Sequence, residues 1–92
     1  MSQSFETVRA EALFASPLQS SEVTNSEQVR RAVAATLRRI GIGGCAAAVS
    51  GEFGDHPDTA VPRMCWALAT IHSVYPRHEA QPAGPILLAL AC

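Results

Sequence analysis

The segment Cys45–Tyr75, CAAAVSGEFGDHPDTAVPRMCWALATIHSVY, constrains the fold of this chain more than any other, because it spells a helix, a tight turn and a second helix. Val49 and Phe53 lie four apart before Gly54, and after a polar turn Val61, Met64, Cys65, Leu68, Ile71 and Tyr75 recur at helical spacing. Between the two helices, Gly54-Asp55-His56-Pro57-Asp58-Thr59 supplies a glycine that tolerates positive φ. It also supplies side-chain oxygens that can accept the unpaired N–H groups opening the next helix. With Thr59 as that helix's N-cap, Pro62 falls in the first turn, where its missing N–H has no partner to lose.

Upstream, Ser4 precedes a helical run from Phe5 to Ala15 that Pro17 stops. Phe5, Val8, Ala12 and Ala15 share one face of it, while Leu13 and Phe14 point elsewhere, as in a helix that packs on two sides. A polar connector follows, and Thr24 with Glu27 fits a capping box. The next helix runs from Asn25 or Ser26 to Ile40, with Val29, Val33, Leu37 and Ile40 as its core stripe and Gly41 where a left-handed cap is wanted. Gly41-Ile42-Gly43-Gly44 then reads as a turn into a short helix from Gly44 to Phe53. The expectation is an all-α protein: a four-helix bundle over residues 1–76 with a helix-turn-helix-like centre, then a linker and an apolar tail over 77–92. The closing run Ile86–Cys92 is far short of the ~20 residues that span a bilayer, and no membrane partner is expected.

With 92 residues, such a domain buries only about 60–65% of its unfolded surface. Much of its apolar content is alanine, so its stability margin is thin and a partner or a second copy would help cover it. The formal net charge of -1 excludes a strongly basic nucleic-acid binder, so any basic surface must be local. Arg30, Arg31, Arg38 and Arg39 supply one, since all four fall outside the core stripe, and Glu27 can pair with Arg31 one turn on. Three cysteines without CxxC spacing, and an N-terminus lacking an apolar secretion core, point to a reduced, cytoplasmic protein in which Cys65 is a buried thiol. Cys45, Cys65 and His72 lack the short-spaced pairs of a zinc site, so no metal or cofactor is expected. His56 between Asp55 and Asp58 has no nucleophile partner and no glycine-rich phosphate loop nearby, and helix capping accounts for both aspartates. The chain reads as a protein that is not an enzyme.

Val49 to Ala60 resembles the core of bacterial helix-turn-helix domains: an aliphatic residue beside a small one, an apolar residue before glycine, a three-residue turn and a polar cap. The resemblance implies that the last helix enters the major groove, with Thr59, Arg63 and the neighbouring Trp66 on the DNA face and Arg30, Arg31, Arg38 and Arg39 on phosphates. The chain departs from that pattern at Ser50, Asp55 and Pro62, and Glu52, Asp55 and Asp58 would face a polyanion. A second resemblance covers more of the chain. ALFAS at Ala12–Ser16 and EFGDHPDTAVPRMCWA at Glu52–Ala67 are similar to short, uncharacterised helical proteins of high-GC bacteria, which imply no activity.

The leading expectation is therefore a small regulatory protein that binds DNA, as a dimer if the Ala-rich faces pair. The competing one is a protein–protein interaction module acting through Trp66, beside Arg63, Thr70 and Ser73, with no nucleic acid involved.

Overall fold

The computed structural model describes residues 4–75, and the expectations for the linker and the Ile86–Cys92 tail lie outside them. The described residues are all-helical: α1 over Phe5–Ala15, α2 over Ser26–Asp55 and α3 over Pro57–Val74, with one 3-10 turn at Ser20–Glu22 in the first connector. Three helices thus replace the expected four, because the Gly41–Gly44 segment does not form a separate turn.

Gly41 alone leaves helical geometry, at φ 73° and ψ 176°, a region that is essentially glycine's. The helical hydrogen-bonding pattern carries on past it through Gly43 and Gly44. A straight helix of the 30 residues in α2 would be about 45 Å long, yet the molecule measures 30 × 29 × 29 Å. The kink at Gly41 divides α2 into an arm over Ser26–Ile40 and an arm over Ile42–Asp55. Gly44 serves the kink in a second way, because a Cβ there would come within 2.7 Å of the Cβ of Ile40. By length and composition α2 is apolar enough to cross a membrane, but each arm is shorter than the ~20 residues a span needs.

Local caps fix the ends. The Ser4 hydroxyl accepts the Thr7 N–H at 3.1 Å to open α1, as its sequence implies. At α2 the box is shifted by one residue: Asn25 is the N-cap and Gln28, not Glu27, answers it. Glu27 instead reaches Arg31 at 3.9 Å, with both side chains largely exposed.

The start of α3 also differs from expectation. Its first residue is Pro57, whose fixed φ suits the first helical position, and His56 is the single residue joining it to α2. Thr59 therefore lies inside the first turn, and Pro62 lies in the helix interior on an exposed face.

The core is built around α1, which packs against both other helices. Ala10, Ala12, Leu13 and Phe14 are all buried, so more than one side of the helix is covered, whereas Phe5 is 79% exposed. Val29, Val33 and Thr36 face it from α2, with Cys45 beyond the kink. From α3 come Ala60, Met64, Ala67, Ile71 and Val74. The buried stripe of α3 is thus turned from the expected one toward its alanines, leaving Val61 exposed and Cys65 and Leu68 half-buried. Small residues at Ala60 and Ala67 let α3 approach closely, and that selects the face.

Candidate functional site

Arg63 organises one end of the molecule. Proline at position 17 stops α1, whose last turn carries no basic residue, so its final carbonyls need a donor from elsewhere. Arg63 reaches across from α3 to supply it. Its Nε donates to the Phe14 carbonyl at 2.9 Å, and a terminal nitrogen lies 2.9 Å from the Ser16 carbonyl, 3.0 Å from that of Leu18 and 3.3 Å from that of Leu13. The guanidinium also stands 4.9 Å above the Trp66 ring and 5.8 Å from that of Phe14. Burial pushes the Arg63 pKa down from the usual arginine value, yet the carbonyl oxygens and ring faces offer the cation a solvation shell.

This placement ties Arg63, an expected base reader, to main-chain carbonyls at the end of α1. Thr59, the other expected base reader, is exposed, with its hydroxyl donating to the His56 carbonyl at 3.1 Å. Trp66 is half-buried, packs on the core and holds Arg63, so it is less exposed than its helical position suggests. Beside them, a cleft of about 470 Å³ is lined by Glu52, Asp55, Thr59 and Arg63 among others. Its rim is acidic. Among the described residues no group of three His, Cys, Asp or Glu side chains gathers as a metal would require.

The basic residues collect elsewhere. Arg30, Arg31, Arg38 and Arg39 are all exposed on the first arm of α2. With Val29 and Val33 buried, helical geometry puts Arg31 and Arg38 on the outward side, about 10 Å apart along the axis, with Arg30 and Arg39 at its edges. Arg38 and Arg39 have no ion pair among the described residues.

Arg30 has a second role: it donates to the Val74 carbonyl at 3.3 Å, capping α3, and lies 5.8 Å from the Tyr75 ring. Arg9 of α1 sits 4.0 Å from the other partner of that contact, the Tyr75 ring, and 5.7 Å from the Phe5 ring. Phe5, Arg9, Tyr75 and Arg30 thus form a chain of aromatic and guanidinium contacts that no helical periodicity announces. The stacking of residues from three separate elements depends on the tertiary fold.

The cysteines differ from expectation as well. Cys45 is the buried thiol, with its pKa pushed up first by burial, then by Glu11, and drawn back by Arg39. Cys65 is half-buried and disulfide-bonded.

No family model matches the chain, and no curated protein or solved structure matches it, so the residues themselves carry the functional argument.

Proposed function

We propose that this protein is a small non-enzymatic regulatory protein that engages the phosphate backbone of nucleic acid through the outward arginines of α2. The observation that carries this reading is the exposure of Arg30, Arg31, Arg38 and Arg39 on one arm of a helix whose opposite side is buried. Such contacts hold a polyanion without reading sequence. The α2–α3 hairpin serves in this reading as the scaffold that presents the first arm of α2. The acidic residues Glu52, Asp55 and Asp58 stand at the α2–α3 junction, where they would oppose insertion of the start of α3 into a groove. A dimer would double the modest basic surface of a chain whose formal net charge is -1.

The test is a titration against duplex DNA at several salt concentrations, with molar mass measured by light scattering. Three or four phosphate contacts give a slope of log affinity against log salt of about -3 to -4, and the pair Arg31→Glu with Arg38→Glu removes most of it. Absence of binding at low salt would sink the reading.

The half-exposed Trp66, held by Arg63, favours a second one: a protein partner centred on the indole. A complex lost in Trp66→Ala and untouched by the α2 charge reversals would establish that alternative.

A further inference from the structure

The ladder of Phe5, Arg9, Tyr75 and Arg30 stands apart from the acidic cleft and shares Arg30 with the basic arm of α2. Tyr75 has guanidinium groups 4.0 and 5.8 Å from its ring centre, so its ring is already occupied. Phe5 differs. It has Arg9 at 5.7 Å and is 79% exposed, although Leu13 and Phe14 of the same helix are buried. Arg9 has no ion pair among the described residues. Glu6, three residues before Arg9, is largely covered and lies 3.7 Å from His72. A guanidinium stacked on rings keeps its in-plane N–H groups directed outward, the geometry that meets a phosphate.

We infer that Phe5 is a stacking platform for an unpaired base of a single-stranded nucleic acid, with Arg9 and Arg30 taking the adjoining phosphates. The inference rests on the reading of α2 as a phosphate-binding face and names the strand state it prefers. An exposed ring beside guanidinium groups that have no ion pair among the described residues combines the two elements that single-strand binders use, a π-face for any base and positive charge along the backbone. A duplex keeps its bases stacked internally and could meet only the arginines. An acidic peptide would likewise satisfy Arg9 and Arg30, but it would leave the Phe5 ring in water.

The experiment compares the full chain with Phe5→Ala and Phe5→Trp variants, by fluorescence anisotropy, on labelled oligothymidylate of about 12 nucleotides and on a duplex of random sequence. The single strand should bind more tightly than the duplex. Phe5→Ala should weaken single-strand binding about tenfold and leave duplex binding unchanged, and Phe5→Trp should preserve it. Circular dichroism of the variants should match the parent, because the ring is exposed. Single-strand affinity that survives Phe5→Ala would overturn the stacking site while leaving the phosphate reading of α2 in place. Polyglutamate that binds the parent as tightly as the single strand does, and binds Phe5→Ala equally well, would assign the surface to an acidic protein segment and also overturn it. Failure of both nucleic acids to bind at low salt would remove both readings together.

Discussion

The Nε–H of Arg63 on α3 donates to the main-chain carbonyl of Phe14 on α1 at 2.9 Å, tying the start of one helix to the end of another. Loss of this side chain strands the Ser16 and Leu18 carbonyls too, and it empties the space between the Phe14 and Trp66 rings. Hydrogen bonds from charged donors contribute about 1.5–3 kcal/mol each when a buried partner would otherwise go unpaired. Because these share one group and sit part-exposed, Arg63→Ala should cost about 2–4 kcal/mol in total. Arg63→Lys should recover less than half, since an ammonium cannot reproduce the planar fork. Urea unfolding followed by circular dichroism measures both; a lysine variant as stable as the parent would refute the role.

The two ends of α1 make a sharp contrast. Leu13 is fully buried and Phe5 is 79% exposed, though both are large apolar residues of one helix. Leu13→Ala should lose about 2–5 kcal/mol through the cavity it leaves, enough to unfold much of a domain this small at ambient temperature. Phe5→Ala should change stability by no more than about 0.5 kcal/mol. Thermal unfolding of the pair gives the comparison, and a large loss in Phe5→Ala would show that its ring is covered in solution.

Gly41 and Gly44 shape the kink by different means, so their substitutions should fail differently. At Gly41 there is open space for a Cβ, and the strain lies in the backbone conformation itself. Gly41→Ala should therefore cost about 1–3 kcal/mol. Gly44→Ala meets the Cβ of Ile40, and overpacking of that kind costs about 1–3 kcal/mol. Pairing it with Ile40→Ala leaves that Cβ in place and should rescue nothing, whereas Ile40→Gly should relieve the clash. A double-mutant cycle by urea unfolding tests this, and simple additivity of Gly44→Ala and Ile40→Gly would contradict it.

The first helix, the start of α2 and the role of Gly41 as a positive-φ position were all legible in the sequence, because caps and breakers act within a few residues of themselves. The count of helices was not, since three glycines in the four residues Gly41–Gly44 read equally as a turn or as a kink, and only the tertiary fold decides. The rotation of the α3 stripe toward Ala60 and Ala67 was hidden for a similar reason: hydrophobicity ranks Val61 above alanine, while close helix approach favours the smaller side chain. Arg63 was legible as a special residue but not as a cap for α1, because its carbonyl partners lie 45 or more positions away in the chain. The basic last turn missing from α1 was the available clue.

Cys45 makes stability depend on pH at the alkaline end. Its pKa is raised in the fold, chiefly by burial, so the thiol stays protonated when the unfolded chain's thiol has ionised. The unfolded state then binds fewer protons than the native state, and stability falls as pH rises above the ordinary thiol value, levelling off only beyond the raised folded value. Below the ordinary value the contribution is fully present. The parent should lose stability from about pH 8.5 upward, and Cys45→Ala should show a flatter alkaline limb from a lower starting point. Urea midpoints measured across that range give the slopes. Equal slopes would mean the thiol is not the titrating group.

Pro62 is the one residue whose removal should strengthen the protein. It sits in the interior of α3 on an exposed face, where it offers no N–H to the Asp58 carbonyl and its ring crowds the same oxygen. An interior proline costs about 3 kcal/mol in a regular helix, and replacing it returns about 0.4–1 kcal/mol of freedom to the unfolded chain. Pro62→Ala should therefore stabilise by about 2 kcal/mol. Because the side chain is exposed, the core around Ala60 and Met64 is untouched by the change. If Pro62→Ala leaves the unfolding midpoint where it was or lowers it, the interior proline carries no net cost in α3.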